Sequence, residues 1–283
     1  MTDRADLERQ AAEGDEQAMT ILGGLAFDVG DVDGAADWWE QAAALGDADA
    51  MNHLGEHADD AGDPESARGW YEQAAALGHS VAMYAAGDFA HRHGDDAAAR
   101  TWWGQLAERG DSRAMVAIAF LAYEAGDLDE AEEWARRASV QANVFAMLLL
   151  GDIGIDRGDA VAAREWYEKA AGLGDAGAMT QIGLLDEESG DSVSATEWFV
   201  KAAELGDEGA MNMLGYQAIG ADNDDIARTW WERAAELGDC EAMFNLGTLA
   251  DEVGDPVEAR TWWTKAADLG STDAADKLKL IDG

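Results

Sequence analysis

The chain of 283 residues is poor in several things at once, and each shortage narrows what it does. Basic residues are scarce: 19 Lys and Arg stand against 59 Asp and Glu, a formal net charge of −40. A surface so short of cations cannot neutralise a phosphate backbone, which excludes nucleic acid as a ligand, and anionic membrane is repelled for the same reason. A single cysteine, Cys240, rules out an internal disulfide framework and fits a reducing compartment. No window approaches roughly 18 consecutive apolar residues, so no membrane-spanning helix is expected. The opening residues, Met1 to Arg9, hold no apolar stretch of the kind a secretory signal needs, and the expected location is cytoplasmic.

Catalytic signatures are missing too. The sequence has no Gly-rich phosphate loop ending in Lys-Ser/Thr and no Gly-x-Ser-x-Gly elbow. Cys240 neighbours Glu241, and no histidine follows His93, so a thiolate–imidazole pair is not indicated. The acidic run Asp222 to Asp225 lacks calcium-loop spacing. The expectation is a protein without catalysis and without a cofactor. Two prolines beside 32 glycines make an odd pair, since few prolines suit long helices and many glycines do not.

What is present is a repeat. Ala-Met recurs at Met19, Met51, Met83, Met115, Met147, Met179, Met211 and Met243, at one constant spacing. Tryptophan keeps the same spacing, at Trp38, Trp70, Trp102, Trp134, Trp166, Trp198, Trp230 and Trp262. The next residue is aromatic every time except at Ala135, and these two columns hold all 12 tryptophans. Inside each repeat runs a half-period: stepping by half a repeat from Gly14 to Gly270, the position is Gly except at Ala142 and Asp222. Asp usually follows, replaced by His79, Asn143, Asn223 and Ser271. Gly in a left-handed conformation closes one helix, and Asp accepts free N–H groups at the start of the next. Pro64 and Pro256 each follow such an Asp, at the first helical position, where a missing N–H costs nothing.

The apolar residues fit that frame. Ala18, Met19, Leu22 and Ala26 form one face of a first helix, and Ala35, Trp38, Trp39, Ala42 and Ala43 one face of a second. A second glycine column (Gly23, Gly55, Gly87, Gly151, Gly183, Gly215, Gly247) falls inside the first helix. Glycine there costs about 1 kcal/mol of helix propensity, which predicts a point where two helix backbones approach closely. The expected architecture is therefore all-α: a capping helix in 1–14, eight helical hairpins over 15–270, and a second capping helix in 271–283, in one continuous domain.

The column set Met19, Leu22-Gly23, Ala26, Gly30-Asp31, Ala35, Trp39, Ala42 resembles the tetratricopeptide repeat, in order and spacing. The Trp-aromatic pair and the run Lys169 to Met179 are more similar to its relative, the Sel1-like repeat. The chain lacks the longer loop usual between the two helices of a Sel1-like repeat, and the proline and two further residues that tetratricopeptide units place between repeats. The resemblance implies an α-solenoid, a right-handed superhelix of helix pairs, that binds proteins or peptides along a concave wall lined by the first helices.

Transferred column by column, that wall holds Asn52, Tyr84, Val116, Phe120, Tyr123, Leu148, Asn212, Tyr216 and Phe244. Acids gather where the first helices end, at Asp28, Asp59, Asp60, Glu124, Asp156, Glu187, Glu188, Asp251 and Glu252. An aromatic centre with acidic flanks favours a partner segment carrying Lys or Arg around apolar anchors. The competing reading is that the aromatics pack inward and the acids serve solubility. Two other readings stand beside it. The irregular stretch 135–150, which loses an aromatic and a glycine and runs apolar from Val144 to Leu150, suggests weak self-association of an otherwise monomeric chain. The sequence His53-Leu54-Gly55-Glu56-His57 places two imidazoles one helical turn apart, and with His91 it suggests a metal sensor or metal-dependent enzyme.

Overall fold

The computed structural model describes residues 4–282; residues 1–3 and 283 of the two expected caps lie outside the described residues. Its course is set by backbone turns that recur at every half-period. All fifteen glycines of that series have φ between +72° and +101°. Ala142 and Asp222, which break the glycine pattern, keep the same turn at φ 56° and 55°. The left-handed region costs an L-residue roughly 1–2 kcal/mol, so the surrounding hydrogen bonds impose it. At Asp222 they are the usual ones: its N–H donates to the Ile219 carbonyl at 3.0 Å, and Asn223 N–H to that of Ala218 at 2.9 Å.

After the turns the cap residue opens the next helix as expected, except at Asn223, whose side chain makes no cap hydrogen bond. Asp15, Asp31 and Asp47 accept from the N–H three residues on, at 3.0, 3.1 and 2.7 Å. His79 performs the same task with an imidazole. Its Nδ1 accepts from Ala82 N–H at 3.1 Å, which leaves Nε2–H to donate to Asp49 at 2.7 Å. Pro64 and Pro256 open their helices at the first position.

The elements follow at once. A short helix α1 (Arg4–Ala12) precedes the hairpins α2 (Glu16–Asp28)/α3 (Val32–Leu45), α4 (Ala48–Asp60)/α5 (Pro64–Ala76), α6 (Ser80–Arg92)/α7 (Asp96–Glu108) and α8 (Ser112–Glu124)/α9 (Leu128–Ser139). Then come α10 (Val144–Asp156)/α11 (Ala160–Gly172), α12 (Ala176–Ser189)/α13 (Ser192–Glu204), α14 (Glu208–Gly220)/α15 (Asp224–Leu237) and α16 (Cys240–Glu252)/α17 (Pro256–Asp268), closed by α18 (Thr272–Asp282). The described residues contain helices and no strands. The chain divides into two compact units, residues 1–146 and 147–283, with no linker at the division, which falls inside α10. No helix among the described residues is long and apolar enough to cross a membrane.

The two aromatic columns have different work. The second one (Trp39, Tyr71, Trp103, Tyr167, Phe199, Trp231, Trp263) is buried, and the first is half-buried. Each buried ring lies on the glycine half a repeat before it, in the other helix of the same hairpin. A Cβ added to Gly23 would stand 2.3 Å from Trp39, on Gly151 2.2 Å from Tyr167, and on Gly183 2.5 Å from Phe199. This corrects the expectation of touching backbones: the glycine column makes room for a ring. Repeat four shows the trade directly, because its ring position is Ala135 and its glycine position is Ala119, both buried. The close backbone approach occurs elsewhere, at Gly154, where a Cβ would stand 2.8 Å from the Ala163 nitrogen. The indole N–H groups of Trp39, Trp103 and Trp263 donate to the carbonyls of Thr20, Tyr84 and Phe244 at 3.2–3.3 Å.

The half-buried column differs along the chain. From repeat four onward a cation one turn later covers the ring: Arg137 over Trp134 at 4.1 Å, Lys169 over Trp166 at 3.5 Å, Lys201 over Trp198 at 4.0 Å, Arg233 over Trp230 at 4.6 Å and Lys265 over Trp262 at 4.0 Å. Repeats one to three carry Gln41, Gln73 and Gln105 there instead.

Candidate partner-binding surface

Three of the nine expected wall residues are buried. Asn52 and Asn212 are each only 4% exposed, and Val116 is buried. Their column links one repeat to the next: Thr180 Oγ1 donates to the cap residue Asp207 at 2.9 Å, and Asn212 Nδ2 to the cap residue Asp239 at 3.0 Å. At Asn52 the corresponding cap is His79, which is already committed on both ring nitrogens. Asn52 Nδ2 turns instead to Glu56 at 2.9 Å; its Oδ1, like that of Asn212, is buried without a partner among the described residues. Tyr84, Tyr123, Leu148 and Phe244 are half-buried. The Arg113 guanidinium lies 5.2 Å over the Tyr84 ring.

Only Phe120 (42% exposed) and Tyr216 (43%) of the expected set face solvent broadly. Tyr216 is already engaged, its hydroxyl donating to Glu241 and accepting from Asn245, both at 2.8 Å. Of the acids, Asp28, Asp60, Glu124, Asp156, Glu188, Asp251 and Glu252 lie at the surface. Glu187 accepts from Gln217 at 2.7 Å, and Asp59 pairs with Arg92 at 2.5 Å.

A concavity that combines aromatic faces with acids lies in the first two repeats, earlier than the sequence indicated. A cleft of about 550 Å³ has Phe27, Trp39, His53 and Tyr71 as its aromatic walls and Asp28, Glu56, Asp59 and Asp60 as its acids. Phe27 is half exposed and tilts against Trp39 at 5.9 Å between centroids; His53 stacks on Trp39 at 5.0 Å and 25°. His53 Nδ1 lies 3.2 Å from Glu56 Oε2. That hydrogen bond raises the His53 pKa above its ordinary value and lowers that of Glu56. Burial, with the nearby Asp59 charge, pushes the Tyr71 hydroxyl up, so it stays a neutral donor. Arg92, held by Asp59 and by Asp88 at 2.9 Å, neutralises one side of the rim, whereas Asp28 and Asp60 carry no ion pair among the described residues. Phe27 and Asp28 sit on wall columns of the resemblance; what the sequence did not reveal is that Trp39 and Tyr71, from the second helices, reach the same cleft.

The metal reading is not supported by this geometry. His53 is spent on Glu56 and the Trp39 face, His91 Nδ1 contacts Asp96 at 2.8 Å, and His57 lines the cleft without joining them. Among the described residues no three His, Cys, Asp or Glu side chains gather as a metal ion would require. The surface for self-association also shrinks. Ala146, Met147, Leu149 and Leu150 are core, Val144 and Leu148 are half-buried, and only Phe145 (67% exposed) faces out, with Val140 before it.

Comparison with known proteins agrees with this repeat grammar. The Sel1 repeat matches residues 80–111, 138–175, 177–207, 209–239 and 240–271, and the tetratricopeptide repeat matches 22–81 and 112–137. No curated protein matches the chain. Among solved structures, a Sel1 repeat protein from Oxalobacter formigenes is 24% identical, with a TM-score of 0.79 over 98% of this chain and 90% of that one. The protective antigen c5321 of uropathogenic Escherichia coli, described as displaying an SLR fold, is 25% identical with a TM-score of 0.64. That likeness covers 95% of this chain but 65% of the antigen. A tetratricopeptide repeat protein from Parabacteroides merdae shares the fold at 14% identity, with a TM-score of 0.54 over 83% of this chain and 99% of that one. Sel1 and tetratricopeptide repeats generally serve as protein-interaction scaffolds. With Sel1 repeats matched over more than half its length and hairpins of that form throughout the described residues, the chain belongs to the Sel1 repeat family.

Proposed function

We propose that the protein is a non-catalytic interaction scaffold whose first two repeats receive a cationic segment of a partner protein. The observation that carries this reading is the 550 Å³ cleft, which sets aromatic faces beside unpaired carboxylates. A Lys or Arg side chain suits both at once: its methylenes lie on Phe27 and Trp39, and its head group meets Asp28 and Asp60. The net charge of −40 attracts such a segment from a distance, and Phe120 offers an apolar surface for further anchors.

Fluorescence anisotropy with a labelled peptide of alternating Arg and Leu, against the same peptide with Glu for Arg, tests it. The basic peptide is expected to bind and the acidic one not. Asp28→Asn with Asp60→Asn should weaken binding about tenfold, and raising salt should weaken it further. Equal binding by wild type and the double variant would remove this cleft as the site.

A further inference from the structure

A second pocket lies between repeats two and three, and comparison of the repeats with one another says what it is for. Arg68, Arg100, Arg164, Arg228 and Arg260 occupy one column on the second helices. Three of them are met by a carboxylate from the following repeat. Arg100 pairs with Glu130 at 2.6 Å and Arg228 with Glu258 at 2.5 Å, the same step along the chain in both cases. Arg164 pairs with the buried Asp186. Arg164 also holds Glu168 one turn along its own helix at 2.9 Å, and Arg228 reaches Glu232 at 3.8 Å.

Arg68 has none of this. The equivalent of Glu130 and Glu258 is Ala98, the equivalent of Asp186 is Ala90, and Glu72 one turn away is beyond ion-pair distance, so Arg68 has no ion pair among the described residues. Where the carboxylate is missing there is space: a pocket of about 300 Å³ at Arg68 and Ala98, walled by Tyr71, Phe89, His93 and Trp102. His93 stacks on Phe89 at 4.1 Å and donates from Nδ1 to the Phe89 carbonyl at 2.8 Å, which fixes that wall. Trp102 belongs to the three outer tryptophans with Gln in place of the covering cation. Of the two acids that also line the pocket, Asp95 is committed to capping α7 through Ala98 N–H at 3.0 Å, and Glu72 is the one carboxylate a ligand would compete with.

We propose that this pocket binds a carboxylate carried on an apolar or aromatic body, taking from outside the group that the sister repeats supply from within. The guanidinium presents paired N–H donors to the carboxylate, and the ring walls take the apolar part. The pocket shares the Tyr71 ring with the acidic cleft of the first two repeats, but its charged group, Arg68, is not part of that cleft. A free organic acid and the terminal residue of a protein share this chemistry.

Isothermal titration of the full chain with 3-phenylpropanoate, its amide, and a pentapeptide ending in Phe as free acid or amide decides the matter. The acids should bind and the amides should lose at least tenfold. Ala98→Glu, which restores the residue that repeats four and eight carry, should abolish binding without unfolding the protein, since Glu130 and Glu258 are accommodated there. Arg68→Gln should do the same. Phenylpropanoate binding as well as the peptide assigns the pocket to a small acid; binding of the peptide acid alone assigns it to a chain terminus. Equal binding of acid and amide, survival of binding in Ala98→Glu, or no binding of either acid would overturn the proposal.

Discussion

The two compact units are written in the same repeat grammar and finish their polar positions differently. In residues 147–283, Asp186 is buried and joins three helices: Arg164 of α11 pairs with it, and Ser194 of α13 donates to it at 2.6 Å. Burial alone would raise its pKa, but the Arg164 and Ser194 hydrogen bonds prevail and hold it low. Thr180 and Asn212 reach the caps of the next repeat, and a Lys or Arg covers each outer tryptophan. In residues 1–146 several of the corresponding positions in repeats one to three stay open, although Arg100 of repeat three is paired with Glu130. Arg68 has no ion pair among the described residues, Asn52 has lost its Asp cap, Gln replaces the covering cations, and both aromatic clefts described above are found there. The lesson is that in this repeat array open space is found where a repeat fails to complete itself.

The largest effect expected from mutation concerns what the two units share. Gly87→Ala would put a methyl 2.4 Å from the Trp103 ring, and Gly215→Ala one 2.3 Å from that of Trp231. Such overpacking should cost about 3 kcal/mol in each case, read as a lowered midpoint in urea unfolding. Ala119→Gly, facing Ala135 with no ring to accommodate, should cost only about 1 kcal/mol of helix propensity. Similar losses at all three positions would break the ring-and-glycine account. Next comes the difference itself. Asp186→Ala gives repeat six the residue that repeat three has at Ala90. It leaves Arg164 and Ser194 without their shared carboxylate and should cost about 2 kcal/mol, less than a fully buried pair because Arg164 keeps partial solvent contact. No measurable loss would mean that the open and completed repeats are equally stable. The smallest effect is a gain. Ala142→Gly relieves a left-handed alanine and should add about 1 kcal/mol, and Asp222→Gly somewhat less, because Asp tolerates that region better. Loss of stability in either would show that the substituted turn is not strained.

The fold was legible because its determinants are local. A glycine that must take positive φ and an Asp that must cap are visible at every half-period, and the succession of helices follows from them. The ring under each glycine was not read from the sequence, which suggested touching backbones, although one exception carried the signal: the repeat with Ala135 in place of an aromatic has Ala119 in place of the glycine. The binding surface was less legible, for a physical reason. Asn212 is buried on the cap of the neighbouring repeat, Asp239, a contact distant in sequence; Asn52 is equally buried but bonds Glu56 on its own helix, because the cap next to it is His79. The columns that vary from repeat to repeat turned out to include links between repeats as well as free surface. Variation alone does not separate the two.

One consequence of the ring-and-glycine pairs concerns synthesis. Trp39 and Gly23, like their six counterparts, stand only half a repeat apart within a single hairpin. Each pair therefore closes once the second helix of its own hairpin is available, and needs nothing from further down the chain. During synthesis each ring contact has both its partners within one hairpin, while the apolar face that hairpin exposes stays uncovered until its neighbour arrives.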